Sequence, residues 1–261
     1  MKNTIAIIIC LIIASGFAAC NNTKKIQEKS INKDTITLSK EEKELCISAL
    51  NRYIEFDELT AEKAEKTANY IDSDILNKNS DLSGNKDSYR KNIDSTTVIA
   101  KQAIDLLNKN RLNETVKLLD SNINKFHSHP ANTIDTENEL HIALYILYQA
   151  CYSEKEACTK AIELEKFTKL HFQLLEELRG EMNPGYPDFL ADFAFLHYQA
   201  EDYSGSMNIL QELLSLIKKS SGEKSEAYTI AIKKIIDCSE KAGFSNQTKK
   251  YKEELNRIEK Q

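Results

Sequence analysis

Histidine is the residue type that first suggests chemistry in this chain, because two imidazoles lie close together in the sequence. His127 and His129 are separated by one serine, and a pair at this spacing could share a transition metal. Two ligands do not complete a site, and the pair precedes Pro130 at a predicted helix end, where histidine commonly faces the last carbonyl groups. The other three histidines stand alone on predicted helices: His141, His171 and His197. We therefore expect no metal site and no cofactor.

Patterns typical of enzymes are absent from the sequence. A hydrolase needs a nucleophile beside a base, or paired carboxylates in a glycine-shaped pocket, and neither pattern occurs. There is no phosphate-binding loop, no dinucleotide fingerprint and no His-Glu-x-x-His motif. The net charge of -5, with lysines dispersed among glutamates, argues against phosphate recognition. The sequence predicts a protein that is neither an enzyme nor a nucleic-acid binder.

Cys20 offers a different chemistry, acylation, because it directly follows an apolar N-terminal segment. Lys2 gives a positive start, residues 5–13 are almost unbroken aliphatic, and two alanines precede the cysteine, as signal-peptide cleavage requires. The apolar segment is shorter than the roughly 20 residues that a helix needs to cross a bilayer core. We predict that residues 1–19 are an export signal rather than a retained transmembrane span.

The N-terminus resembles the signal peptides of bacterial lipoproteins, in which small residues precede a cysteine that is diacylated and becomes the new N-terminus. Phe17 stands where that family usually has leucine, so the match is to the relaxed form found in lipoproteins of the Bacteroidetes. The resemblance implies a lipid anchor on Cys20, and two or more acyl chains hold a protein stably in a membrane. The alternative is an ordinary secretory signal cut after Ala18 or Ala19, which leaves Cys20 as a free or disulfide-bonded thiol.

Residues 20–38 are predicted to form a lipidated, flexible polar tether. No aspartate adjoins Cys20, and no acidic run follows it. By resemblance to lipoprotein sorting rules, this favours the outer membrane facing the periplasm. Surface display is less favoured, because the surface-export signal of the Bacteroidetes is acidic and this tether is basic.

Four further cysteines could pair if the chain lies in the oxidising periplasm. Cys151 and Cys158 flank a predicted turn, but seven residues of continuous helix span about 10.5 Å, which is too far for a disulfide. The disulfide state is therefore left open, and for Cys46 and Cys238, which fall on repeat core positions, small buried hydrophobic side chains are the favoured interpretation. The four further cysteines are Cys46, Cys151, Cys158 and Cys238.

Composition indicates an all-α fold for residues 39–261. The chain has two valines and no tryptophan, whereas leucine, isoleucine, glutamate, lysine and alanine dominate. Ser39 and Glu42 have the spacing of a capping box, which predicts the first helix start. Glycines and prolines separate the apolar-periodic segments into pairs. The predicted pairs are 39–56 with 58–77, 89–109 with 111–127, 136–151 with 154–179, 187–200 with 203–219, and 224–241 with 245–259.

Helix pairs of this length cannot bury both faces alone, so their succession predicts an α-solenoid of about four to five antiparallel pairs. Residues 187–222 most clearly resemble a tetratricopeptide repeat (TPR) of the longer kind found in kinesin light chains. Phe193, Ala194 and His197 occupy first-helix positions, and Tyr203 opens the second helix. The rest of 39–261 resembles this repeat more loosely. The resemblance implies a right-handed superhelix whose concave wall binds a protein or peptide.

The first helix of each pair would form that wall, and the Tyr-Gln dipeptides at 148–149 and 198–199 suit recognition. The alternative is that both pairs pack against the following repeat. The Lys and Asn clamp that some TPR proteins use for a terminal carboxylate is missing, so a free C-terminal peptide is a poor candidate ligand. The predicted partner-binding residues are His141, Tyr145, Tyr148, Gln149, Asp188, Phe195, Tyr198 and Gln199.

These features predict a membrane-anchored, TPR-like adaptor of the cell envelope that binds a protein partner and is not catalytic. A structural spacer or an immunity-type lipoprotein is the alternative, and an enzyme is less favoured. A spacer would show no saturable ligand. An enzyme would show convergent polar groups in a pocket.

Metabolic labelling with a fatty-acid analogue tests the anchor. We expect label on the wild-type chain and none on Cys20→Ser, because Cys20 is the attachment point that the resemblance implies. Cys10→Ser is the matched control and should keep its label, since residue 10 lies in the part that is removed. Equal labelling of wild type and Cys20→Ser, read by in-gel fluorescence at equal expression, would contradict lipidation of Cys20.

Overall fold

A computed structural model describes residues 37–68 and 83–260, with side chains for 37–60 and 95–260. Within these ranges every regular element is an α-helix, so the all-α prediction is confirmed. The predicted signal peptide, Cys20 and most of the tether lie outside the described residues. The helices are α1 (Lys40–Ala68), α2 (Ser83–Asn108), α3 (Leu112–Asp120), α4 (Ile123–His127), α5 (Ile134–Cys151), α6 (Glu154–Arg179), α7 (Tyr186–Gln199), α8 (Tyr203–Ser220), α9 (Glu226–Lys241) and α10 (Ser245–Glu259).

Side-chain caps set the starts of several helices. The amide of Glu42 donates to Ser39 Oγ at 3.1 Å, and the amide of Ser39 donates to Glu42 Oε2 at 2.7 Å, so the predicted capping box is confirmed. Ser153 and Glu156 form the same reciprocal pair before α6. Asp202 accepts from the amide of Gly205 at 2.9 Å and caps α8, which begins at Tyr203 as predicted.

The last three predicted helix pairs agree with the structure to within two residues, but the first pair is wrong. One helix, α1, runs from Lys40 to Ala68 without a break at residue 57. Asp57 is a buried member of that helix, with a carboxylate oxygen 2.9 Å from His129 Nε2 and another that accepts from Thr97. No glycine or proline lies between 40 and 68 to interrupt the helix. The predicted helix 111–127 is divided into α3 and α4.

Packing follows chain order in the C-terminal part, where each helix from α6 to α10 contacts the next. The N-terminal part departs from this order, because α1 packs against both α2 and α5. The buried apolar side chains form two clusters that meet at the first turns of α6: Ala157 belongs to the N-terminal cluster and Cys158 to the C-terminal one. Tyr145 of α5 packs against both clusters.

Helices α7 and α8 approach each other closely at a small residue. Ala194 is buried, and Ser206 Oγ donates to its carbonyl oxygen at 2.8 Å. One residue earlier, Gly205 lies under the hydrogen bond between His197 Nδ1 and Asp202 Oδ2, which spans 2.7 Å. A Cβ at position 205 would collide with both of these side chains. The close crossing therefore depends on small residues on both helices.

Ala194→Leu tests the crossing. We expect the variant to lose about 1–3 kcal/mol of unfolding free energy, because the added methyl groups overpack a site with no space. Chemical denaturation of the purified chain measures the loss. Ala227→Leu, on the exposed first turn of α9, is the control and should change stability by less than about 0.5 kcal/mol. An unchanged Ala194→Leu midpoint would contradict the close approach.

Candidate functional site

The structure buries two of the predicted wall residues on α5. His141 and Tyr148 have relative exposures of 1% and 2%, so neither side chain offers surface to a partner. Tyr145 is half-buried, and its hydroxyl lies 3.4 Å from Cys158 Sγ of α6. Gln149 is exposed. The wall prediction is therefore corrected for His141 and Tyr148, which lie in the core.

The Tyr148 hydroxyl has its own polar partners. It donates to Asp120 Oδ1 of α3 at 2.6 Å, and Lys160 Nζ lies 2.9 Å from the other oxygen of that carboxylate. Lys160 Nζ also lies 5.2 Å from the centre of the Tyr148 ring. Burial, followed by the hydrogen bond to Asp120, raises the pKa of Tyr148. This tyrosine joins α5 to α3 and α6.

The four predicted wall residues on α7 are more accessible. Asp188 is exposed, and the side chains of Phe195, Tyr198 and Gln199 are half-buried. Tyr198 repeats the arrangement of Tyr148, because its hydroxyl donates to Asp237 Oδ2 of α9 at 2.7 Å. Lys241 Nζ contacts the same hydroxyl and lies 4.3 Å from the ring centre. Each tyrosine of the Tyr-Gln dipeptides thus hydrogen-bonds to an aspartate of another helix, which belongs to the preceding predicted pair for Tyr148 and to the following pair for Tyr198.

An acidic group adjoins the wall and was missed in the sequence. Burial, and then the nearby carboxylates of Asp188 and Glu165, raise the pKa of Asp192 to about 7. Asp188 and Asp192 are one helical turn apart on α7, a spacing that is visible in the sequence. Glu165 comes from α6 and could not have been placed there without the structure. Strongly shifted carboxyl groups of this kind are more frequent at functional sites than elsewhere.

Helix α6 carries an exposed row of large apolar side chains, which we call the apolar stripe. Its members have relative exposures between 41% and 73% and recur every three or four residues, so they share one helix face. Thr168 and Phe172, which lie between these positions in the sequence, are buried, and the Phe172 ring contacts Tyr186 at the start of α7. The stripe comprises Phe167, Leu170, Leu174 and Leu178.

Acidic residues flank the C-terminal half of the stripe. Glu177 is exposed beside the stripe and Glu181 is exposed just past the end of α6, whereas Glu176 lies on the side of the helix that faces Tyr186 of α7. Lys169, further towards the N-terminus, is bonded to Glu212 of α8 at 2.7 Å. The surface beside the stripe is therefore predominantly negative.

A cluster of potential metal ligands lies beneath the N-terminal end of the stripe. His127 Nε2 and His141 Nε2 are 2.9 Å apart, and Glu137 offers a carboxylate oxygen to the same place. The three ligand atoms lie within 4.8 Å of one another. Burial, and then His141, lower the pKa of His127 to about 4, so its ring is neutral at pH 7. We call His127, Glu137, His141 and the neighbouring His171 the histidine cluster.

His129 does not share this cluster, although the sequence suggested it as the partner of His127. Its Nε2 lies 2.9 Å from Asp57 Oδ1 of α1, and its ring packs edge-on against Tyr53. His127 ends α4 and His129 lies in the following turn, so the two rings face different neighbours. The partner of His127 is 14 residues away, at a spacing that no local pattern marks.

All four cysteines in the described residues are free thiols. Cys46, Cys158 and Cys238 are buried, whereas Cys151 is half-buried. Burial is the main cause that raises the pKa of Cys46 to about 12, so its thiol is protonated and unreactive at neutral pH. These residues act as small apolar side chains in the structure.

The chain matches no protein-family model, no curated protein and no solved structure. None of the helices in the described ranges has the length and apolar character that a membrane crossing requires.

Asp192→Asn tests the raised carboxyl pKa. The folded pKa of about 7 exceeds the usual value near 4, so the folded state binds more protons between these pH values and loses stability as pH rises through them. We expect the variant to be more stable than wild type at pH 8 by at least about 1.4 kcal/mol, the equivalent of one pKa unit. At pH 4 the two chains should be nearly equally stable.

Urea denaturation at both pH values measures this difference. Asp105→Asn, on an exposed part of α2, is the control and should shift stability little at either pH. A difference between wild type and Asp192→Asn that does not grow with pH would contradict the shifted pKa.

Proposed function

We propose that the chain is a lipid-anchored, non-catalytic adaptor of the bacterial envelope that binds a protein partner through the apolar stripe of α6. The exposure of the stripe is the observation that supports this function. The stripe exposes four large apolar side chains on one helix face, and soluble proteins rarely leave such a patch uncovered unless it binds something. Spacings of three and four residues suit a partner helix that packs alongside.

The partner segment should be an amphipathic helix with basic residues beside its apolar face. Glu177 beside the stripe and Glu181 just past its C-terminal end are exposed and would pair with lysine or arginine on that segment. The same charges disfavour a lipid surface as the occupant, because anionic membrane leaflets attract basic flanks. Charge therefore favours a protein over the membrane.

We propose that wall residues on α5 and α7 form a second contact surface, separate from the stripe. Gln149 and Asp188 are exposed, and Phe195 and Gln199 are half-buried. Asp192 lies beside Asp188, and its carboxyl group, whose pKa is raised to about 7, is only partly ionised at neutral pH. A basic partner segment suits these residues for the same reason as it suits the stripe.

A TPR-like α-solenoid is the scaffold that we propose for this surface. The consecutive packing of α6 to α10 supports it, as does the close crossing at Ala194, where TPR-like pairs require a small residue. The packing of α1 against α5 means that the N-terminal part is not a regular repeat. We place the adaptor at the outer membrane, facing the periplasm, through the predicted lipid on Cys20.

Co-purification tests the proposed function. The full-length chain and its Leu170→Glu/Leu174→Glu variant are captured in mild detergent from membranes of the organism that makes them. We expect a stoichiometric partner that carries a basic amphipathic helix with wild type, and at least a tenfold loss of it with the variant. Leu59→Glu/Ile230→Glu is the matched control, because it charges two equally exposed apolar positions outside the stripe and should keep the partner.

Two outcomes would overturn the proposal. One is the same set of proteins with wild type and the stripe variant: a stoichiometric partner in both would place the contact away from the stripe, and no such partner in either would favour a spacer. The other is stripe-dependent binding of the unlipidated Cys20→Ser chain to vesicles of phosphatidylethanolamine and phosphatidylglycerol. That result would assign the stripe to a lipid surface instead of a protein.

A further inference from the structure

The histidine cluster combines ligand types that are typical of a transition-metal site. Two imidazole nitrogens and one carboxylate converge from α4 and α5, within 4.8 Å of one another. We infer that His127, Glu137 and His141 bind one divalent transition-metal ion, with Zn²⁺ as the best match. This inference goes beyond the adaptor function and does not depend on it, because none of the three ligands belongs to the apolar stripe.

His141 is oriented as a metal ligand should be. Its Nδ1 faces Thr168 Oγ1 at 3.1 Å and Glu165 Oε1 at 3.6 Å, both on α6. A proton on Nδ1 can therefore be donated to an oxygen, which leaves the lone pair of Nε2 directed at His127. Metal-binding histidines almost always have such a partner on the second nitrogen, since it fixes the tautomer and the ring orientation.

Glu137 contributes negative charge in a place where a carboxylate is costly. It is 2% exposed, and burial of an unpaired carboxylate in an apolar environment is strongly unfavourable. His171 Nδ1 of α6 lies 2.7 Å from Glu137 Oε2 and holds the carboxylate in position. A cation bound at the other face of this carboxylate would complete its neutralisation.

The facing ring nitrogens of His127 and His141 need a proton or a cation between them. At 2.9 Å, the lone pairs of His127 Nε2 and His141 Nε2 would repel each other if neither carried a proton and no cation bound both. An N–H···N hydrogen bond is the alternative to a metal. The buried carboxylate beside the pair favours a cation, because a neutral hydrogen bond leaves the charge of Glu137 to His171 alone.

The ligand set selects among metals. Two histidines and one glutamate form the three-ligand set of many zinc sites, which keep a fourth position for solvent. Ca²⁺ and Mg²⁺ prefer sites made wholly of oxygen, and Cu(I) prefers thiolate or thioether ligands, which this cluster does not contain. Zinc would tie α4 to α5 directly, and α6 would hold the ligands through Thr168, Glu165 and His171.

Zinc titration of the full-length protein tests the site. The chain carries an affinity tag without histidine, is stripped with EDTA, and is titrated with Zn²⁺ in a calorimeter, with elemental analysis of the dialysed product. We expect one tightly bound zinc per chain. His127→Gln should lower the affinity more than 100-fold, since it removes a ligand from a half-buried position where glutamine can be accommodated.

Two further variants separate a metal site from general effects on the fold. Thr168→Val should lower the zinc affinity about 10- to 100-fold, as expected for the loss of a ligand's outer partner. His197→Gln removes a histidine that hydrogen-bonds to Asp202, away from the cluster, and should leave the affinity unchanged. Circular dichroism checks that each variant keeps its helix content.

Failure of the wild-type chain to bind zinc stoichiometrically would overturn the inference and assign the pair to an N–H···N hydrogen bond. Equal affinity in wild type and His127→Gln would also overturn it. If His127→Gln does not fold, the visible spectrum of the Co²⁺-loaded wild type decides. A four-coordinate spectrum supports the site, whereas the spectrum of octahedral aqueous Co²⁺ contradicts it.

Discussion

Helix α5 buries polar side chains as well as apolar ones, and the positions of the helices around it depend on satisfying those groups. Among its buried or half-buried polar residues are Glu137, His141, Tyr145 and Tyr148. Their partners come from three other helices: α3 supplies a carboxylate, α4 an imidazole, and α6 an imidazole, a hydroxyl and a thiol. A buried polar group without a partner costs free energy that a domain of marginal stability cannot spare. These bonds therefore fix which helices adjoin α5 and in what register.

Helix α6 carries the apolar stripe and also contacts the histidine cluster. Thr168 and His171 point into the histidine cluster, while Phe167 and Leu170, one residue away from each, belong to the stripe. The Phe167 ring also packs at 4.2 Å against the ring of His127. A movement of the His127 ring would thus displace the Phe167 side chain at the N-terminal end of the stripe, because the two rings are in contact and the cluster and the stripe share helix α6.

Interactions between residues close in the sequence made much of the fold predictable, whereas interactions between distant segments could not be predicted. Ser39, Ser153 and Asp202 are caps whose partners lie three residues away, so the helix starts that they set could be read from the sequence. The continuity of α1 through Asp57 could not, because that carboxylate is held by residues of other segments. The spacing of Phe167, Leu170, Leu174 and Leu178 in the sequence makes one face of α6 apolar, but this spacing does not say whether another helix covers that face. The pairing of His127 with His141 likewise depends on how α4 meets α5.

The buried thiols have a consequence for how the protein behaves when it is heated in air. While the chain is folded, Cys46, Cys158 and Cys238 are enclosed by neighbouring helices and cannot reach an oxidant. Unfolding would release three thiols with ordinary acidity, which react through their thiolates. Cross-links formed in that state would prevent the helices from repacking, so each excursion to the unfolded state carries a risk of irreversible loss. Folding therefore protects the three buried thiols of this chain from oxidation.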